Sequence, residues 1–397
     1  MTGQVRQISF DYSKLETVIQ GGEAVSSLVQ QVDTRGARRV FLLISRTLHD
    51  NSEIVGQLDS ALGGRLADVF SGVPAHTPRP AVLEAIERAR RCETDLLVTI
   101  GGGSVIDAAK AVQLALQQGL QTEQQLLDYA QFADGSRGSK AGDFSLFTEP
   151  STLRQIAIPT TLSGAEFSNN AGVTDPVKSL KEGYRGPDLC PQAIIYDPAL
   201  GCRTPEWLWL STAIRSLDHA IEGYCSADAH SYLEGHFLHA MRLFASSLPL
   251  TRSELENIEA RSFSQQAVWL ACCGLGQVRH GASHGIGYLL GAVCGVPHGY
   301  TSCVMLPAVL NWNSRVNNDR QQVIAEALGE PDLTAGQAVR QLVAALQLPQ
   351  NLQDVGVSRD QLPQIARLAS QHPVVQRNPR AIANADDVQE ILELAWS

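Results

Sequence analysis

The chain has 397 residues, enough for two or three domains with a substantial apolar core. Hydrophobic residues at 44% and charged residues at 18%, without a low-complexity tract, exclude an extended disordered or collagen-like chain. A net charge of −10, from 31 Lys and Arg against 41 Asp and Glu, argues against a general nucleic-acid or acidic-membrane surface.

From the amino terminus, MTGQVRQISFDY has neither the apolar core nor the cleavage site of a secretory signal. Residues 39–44 (RVFLLI) have the length and composition of a buried strand, followed by a helix-compatible stretch through Leu62 and a second strand over 66–73. After Pro78 and Pro80, Val82, Ile86 and Ala89 recur at helical spacing, and DLLVTI (95–100) is another buried strand. RQIAIP (154–159) and AIIYD (193–197) continue the alternation, which predicts a mostly parallel sheet covered by helices. Beyond Pro205 the pattern turns helical, over 205–225, 230–250, 253–275, 334–347 and 386–396, with no period-two strand. The expected organisation is an α/β domain over 1–200 and an all-helical domain over 201–397, with a ligand in the cleft between them.

Eight cysteines (92, 190, 202, 225, 272, 273, 294 and 303) include no Cys-x-x-Cys pair, so they are read as reduced, mostly buried thiols of a cytoplasmic protein. Residues 280–314 carry no Asp, Glu, Lys or Arg in 35 positions. Three His, two Pro and six Gly within them favour the buried centre of a large domain over a membrane helix.

DLLVTI-GGGS-VIDAAKAV puts Gly101, Gly102, Gly103 and Ser104 between a strand and a helix, where backbone N–H groups and a helix N-terminus can hold a pyrophosphate. Ser104 and Asp107 also match a capping box, the reading that needs no ligand, but three successive glycines exceed what a cap requires. Asp107 is open as cap and ligand contact, Lys110 as functional cation or solvated helix position. PTTLSGAEFSNN (159–170), with Thr160, Thr161 and Ser163, reads by itself as a loop that caps the next helix. His280 and His284, four apart, are expected on one helix face, with His298 fourteen beyond in GVPHG and His219 upstream in SLDHAIEGY. Four histidines around an uncharged, glycine-rich segment point to a metal or proton-transfer site. His230, His236 and His239 lack that context.

GGGSVIDAAK, PTTLSGAE, LDHAIEGY and HGASHGIGYLLGAVCGVPHG, in this order from residue 101 to 299, resemble the iron-containing (group III) alcohol dehydrogenase family. The resemblance implies an N-terminal dinucleotide-binding domain and a C-terminal helical catalytic domain, the dehydroquinate synthase-like fold, with NAD(P) and metal in the cleft. Thr160, Thr161 and Leu162 would then lie along the cofactor. At Ser45 and Arg46, metal-dependent relatives often place an Asp that reads the ribose hydroxyls, so NADH is expected to be used and NADPH tolerated.

One departure stands out. Metal-dependent members carry an Asp four residues before the histidine of HAIE, where this chain has Arg215, while His219, His280 and His298 match the three histidine ligands. At ~4 Å and an effective dielectric near 20, a divalent ion beside a guanidinium meets repulsion of about 8 kcal/mol. Asp218 is expected to point away from the histidine face and to pair with Arg215. The expectation is therefore that no metal is held; any metal found would be Fe or Zn at His219, His280 and His298. The incomplete ligand set and the SHGIG…VPHG run resemble the maleylacetate reductase branch, in which an unsaturated keto diacid is reduced. Arg215 would bind a carboxylate, and His219, His280, His284 or His298 would stabilise an enolate or deliver a proton. The alternatives are a metal-dependent alcohol dehydrogenase or aldehyde reductase of the same family and, more distantly, a dehydroquinate-synthase-like lyase. The expected partners are a small-molecule substrate and a second copy of the chain, without nucleic acid or membrane.

Overall fold

The computed structural model describes residues 7–132, 135–178 and 180–396; the first six residues of the amino-terminal stretch read for a secretory signal lie outside them. The chain begins β1 (Thr17–Gln20), α1 (Ala24–Arg35), β2 (Val40–Ile44), α2 (Arg46–Asn51), α3 (Ile54–Leu62) and β3 (Leu66–Phe70). It continues α4 (Arg79–Arg91), β4 (Leu96–Gly101), α5 (Gly103–Gln117), α6 (Glu123–Leu127), β5 (Gln131–Phe132), β6 (Arg154–Pro159), β7 (Asn170–Asp175), β8 (Leu180–Arg185) and β9 (Ala193–Tyr196). A six-stranded parallel sheet has the order β1-β9-β6-β4-β2-β3.

Side-chain alternation decides its two faces. Phe41 and Leu43 of β2 pack with Val82, Ile86, Val105 and Val112 from α4 and α5, while Val40, Leu42 and Ile44 pack with Leu28, Val32 and Leu58 from α1 and α3. Both faces are covered, which is why β2, β4 and β6 read as continuous apolar runs.

The sheet has features the periodicity did not announce. β1 is four residues long, each partly buried, too short for a pattern. β5, β8 and β7 form a small antiparallel sheet whose inward positions include charged groups. Arg79 meets Asp175 at 2.9 Å and also binds Glu182, which accepts from the Tyr184 hydroxyl at 2.8 Å. Paired buried charges hide the alternation that would mark a hairpin.

The second half contains α7 (Pro198–Gly201), α8 (Glu206–Cys225), α9 (Ser231–Ser253), α10 (Ile258–Cys272), α11 (Ala282–Cys294), α12 (His298–Ala327, broken at Asn317), α13 (Ala335–Ala345), α14 (Leu362–Ser370) and α15 (Ala385–Trp396). One core joins α8, α9, α10, α12 and α13, and a second joins α11, α12, α14 and α15. Ile194 and Tyr196 of β9 enter the first, so the helical half packs onto the sheet. The uncharged segment becomes α11 and the first half of α12, and its glycines let helices touch. A Cβ on Gly299 would fall 2.6 Å from Ser211 Oγ, and one on Gly287 2.9 Å from Thr301 Oγ1. No helix among the described residues is long and apolar enough to cross a membrane.

Candidate functional site

Strands β3-β2-β4-β6-β9 run in the order of a doubly wound sheet whose chain reverses direction between β2 and β4. Both adjoining strand ends are sequence-predicted positions. Ser45 follows β2 and donates its N–H to Ile100 O at 2.9 Å, while Gly101, Gly102 and Gly103 lead from β4 into α5. A Cβ on Gly102 would lie 3.0 Å from Thr161 Cγ2, and one on Gly103 3.0 Å from Ser163 Oγ. The turn is a bare-backbone cradle between the ends of β2, β4 and β6, and among the described residues no side chain caps α5. Free N–H groups at a helix start, next to space that a side chain would fill, fit a pyrophosphate.

The capping-box reading does not hold. Ser104 lies inside α5 and its Oγ accepts from His76 N at 3.0 Å, while Asp107 Oδ2 accepts from Gly172 N at 2.9 Å. Lys110 is fully buried and donates to Ala165 O, Asn170 O and Asp107 Oδ1, so it ties α5 to the following loop and is neither solvated nor directed at a ligand. The polar run caps no helix and leads into β7; Thr160 N donates to Gly101 O at 3.0 Å, and Leu162 N donates to Thr212 Oγ1 of α8 at 3.0 Å. Thr160, Thr161 and Leu162 thus join the glycine cradle to the helical half.

The histidines converge through a carboxylate that sequence reasoning passed over. Glu222, three residues after His219 on α8, accepts from the N–H groups of Gly281, Ser283 and His284, the open start of α11. Its Oε2 also lies 2.8 Å from His284 Nδ1. The signal for it was the i+3 spacing in HAIE, a carboxylate on the His219 face. His284 Nε2 is 2.8 Å from His219 Nδ1, which is 3.3 Å from His280 Nε2. His280 and His284 do not share a helix face as expected: α11 begins at Ala282, and the two rings stack at 4.3 Å from either side of its start. His298 stands apart from these three, edge-on to His76 at 5.7 Å between ring centroids.

Burial, then His284, holds His219 and His280 well below the ordinary imidazole range, and burial with Arg215 takes His298 down to about 3. Burial and Arg215 also oppose a charge on His284, but Asp218 and Glu222 outweigh them and raise it. Arg215 donates from Nη1 to Ser302 Oγ at 3.1 Å, lies 3.8 Å from Asp218 Oδ2 and covers the Tyr288 ring at 5.4 Å. Asp218 pairs with Arg215 as expected but does not leave the histidine cluster: the same Oδ2 is 3.5 Å from His284 Nδ1.

With His284 Nδ1 facing Glu222, three ring nitrogens of His219, His280 and His284 gather within 4.8 Å. Lone pairs so close repel unless a proton or a metal ion lies among them, and neutral imidazoles are the ligand form. A carboxylate behind His284 is the usual outer support of a metal-bound histidine. These residues fit a divalent ion.

Residues 16–198 match the model of iron-containing alcohol dehydrogenase, and residues 209–396 that of the C-terminal domain of the Fe-containing alcohol dehydrogenase family. The chain belongs to the iron-containing alcohol dehydrogenase family. It is 29% identical to dehydrogenase FUM7 of Gibberella moniliformis over 90% of this chain and 91% of that protein. It is 28% identical to maleylacetate reductase 1 of Rhodococcus opacus over 96% and 94%. The fold of a 1,3-propanediol oxidoreductase superposes with a TM-score of 0.85 at 25% identity, covering 98% of this chain and all of that one (100%).

The expectation of no metal is therefore corrected. The family is iron-containing, and this chain brings three imidazoles together with two carboxylates behind one of them. Asp218 does not point away but lies 3.8 Å from Arg215 and 3.5 Å from His284, with Glu222 2.8 Å from His284, and two carboxylates against one guanidinium favour a cation. The cluster contains His284 where His298 was expected as a ligand.

Proposed function

We propose that the chain is an NADH- or NADPH-dependent reductase of maleylacetate, giving 3-oxoadipate in aromatic-ring degradation, with residues 1–200 holding the dinucleotide and 201–397 the substrate. The observation that carries this is Arg215, a buried guanidinium beside the histidine cluster, where a substrate with two carboxylates needs a planar cationic fork. The likeness to maleylacetate reductase 1 along nearly the whole chain supports it.

When bound, a reduced nicotinamide supplies hydride to the alkene carbon β to the ketone, and a divalent ion supplies a Lewis acid for the enolate oxygen that forms, while the α carbon takes up a proton. Gly101, Gly102, Gly103 and Ser104 hold the pyrophosphate; Ser45, Asp107, Thr160, Thr161 and Leu162 border it. His219, His280 and His284 hold the metal, Glu222 orients His284, and Arg215 anchors a carboxylate. His298, kept neutral by burial, faces the reacting carbonyl as hydrogen-bond partner or proton carrier. The protein is placed in the cytoplasm, as its eight unpaired cysteines suggest, and as a homodimer.

The three-histidine cluster favours a second reading, a metal-dependent alcohol dehydrogenase or aldehyde reductase. Steady-state rates on maleylacetate and on simple aldehydes separate the two. Arg215→Ala should lower kcat/KM for the diacid by about one to two orders of magnitude, the loss of a charge-assisted contact of ~1.5–3 kcal/mol. A parent that reduces aldehydes and ignores the diacid, or a variant with unchanged diacid kinetics, defeats the first reading.

A further inference from the structure

Beside His298, on which Arg215 also acts, the nucleotide domain presents two nitrogen groups that no step above uses. His76 and Thr77 both have left-handed backbone, with φ of 66° and 53°, a conformation that non-glycine residues adopt only when held. Hydrogen bonds hold it from two sides. His76 N donates to Ser104 Oγ at 3.0 Å and Thr77 Oγ1 to Ser104 O at 3.1 Å, from α5. Thr174 of β7 donates from Oγ1 to His76 O at 2.7 Å and from N to Thr77 O at 3.0 Å.

The result is an exposed imidazole set edge-on against His298. Lys181 of β8 is paired directly with Thr174, so its side chain rises on the sheet face whose hydroxyl grips His76. Among the described residues, the ring nitrogens of His76 and His298 and the Lys181 ammonium have no hydrogen-bond or ion-pair partner. Asp107 is the acid that faces Lys181, and its oxygens are already taken by Gly172 N and Lys110.

We propose that Lys181 and His76 form a second anion clamp, which binds the substrate carboxylate remote from Arg215 and makes the cleft selective for dianionic carbonyl compounds. The proposal rests on the reading of this cleft as a diacid site. With a lysine and an imidazole contributed by one domain and a guanidinium by the other, a ligand charged at both ends would bridge the two domains.

The test uses glutarate, an unreactive dicarboxylate, titrated calorimetrically into the NADH-loaded protein. Lys181→Met should weaken glutarate binding by about tenfold, and Lys181→Arg should restore most of it. His76→Asn keeps a residue that tolerates left-handed backbone and should cost severalfold. In turnover, the ratio of kcat/KM for maleylacetate over that for butyraldehyde should fall by about tenfold in Lys181→Met. If Lys181→Met weakens NADH binding and leaves glutarate unchanged, the lysine belongs to the cofactor phosphates and the clamp is overturned. Equal losses on diacid and aldehyde overturn it as well. A parent that binds glutarate through Lys181 but does not reduce maleylacetate keeps the clamp and loses the maleylacetate reading; a parent that reduces maleylacetate but binds glutarate independently of Lys181 does the reverse.

Discussion

His219 Nδ1 and His284 Nε2 are 2.8 Å apart, and the far nitrogen of His284 is 2.8 Å from Glu222. One α8 face thus supplies both a ligand candidate and the carboxylate that orients another. Purified protein should carry about one equivalent of a divalent metal, and His219→Ala should abolish its retention. Glu222→Gln should weaken Zn²⁺ binding by about 10–100-fold, as loss of an outer carboxylate does. Equilibrium dialysis with elemental analysis reads both.

Gly102 has φ of −85°, so a side chain there is sterically allowed by the backbone and objectionable only to its surroundings. Gly102→Val should fold, because the Thr161 methyl 3.0 Å away can give by a few tenths of an ångström. NADH affinity measured by calorimetry should nonetheless fall by about tenfold or more, since the valine fills the cradle. Unchanged affinity in a folded variant removes the pyrophosphate from this turn.

Ser45 is partly exposed at the end of β2, its side chain capping nothing, with Arg46 exposed beside it. No carboxylate at these two positions repels a 2′-phosphate, so NADPH should be accepted alongside NADH. Ser45→Asp should reduce kcat/KM for NADPH relative to NADH by about tenfold. Strict NADH dependence of the parent contradicts the assignment.

Glu166 is fully buried; its Oε1 accepts the Tyr196 hydroxyl at 2.6 Å, and burial lifts its pKa from an ordinary 4.5 to about 7 despite that bond. The folded chain keeps a proton that the unfolded chain releases, so stability should decline as pH rises from 4.5 to about 7 and level off above. The contribution is about 3 kcal/mol over that window. Glu166→Gln, which still accepts from Tyr196, should remove this decline and stabilise the protein at pH 8. Urea unfolding of parent and variant at pH 5 and pH 8 measures the difference.

Sequence alone determined the elements built from apolar runs and the chemistry carried by composition. β2, β4, β6 and β9 are buried on both faces, so each is legible without its neighbours, and a glycine turn after β4 announces bare backbone. The histidines announced a site by their number and by the absence of charge around them. Only tertiary structure decided which of them meet, because His219 and His280 come from segments 61 residues apart and are brought together by Glu222 closing the start of α11 onto α8. It also decided the charge at the histidines: Asp218 and Glu222 share α8 with Arg215, but only the packing of α11 and α12 on α8, close where Gly287 and Gly299 carry no side chain, brings both carboxylates to His284. Spacing along one helix fixes what shares a face. Electrostatics depends on distance between elements, and packing alone decides that.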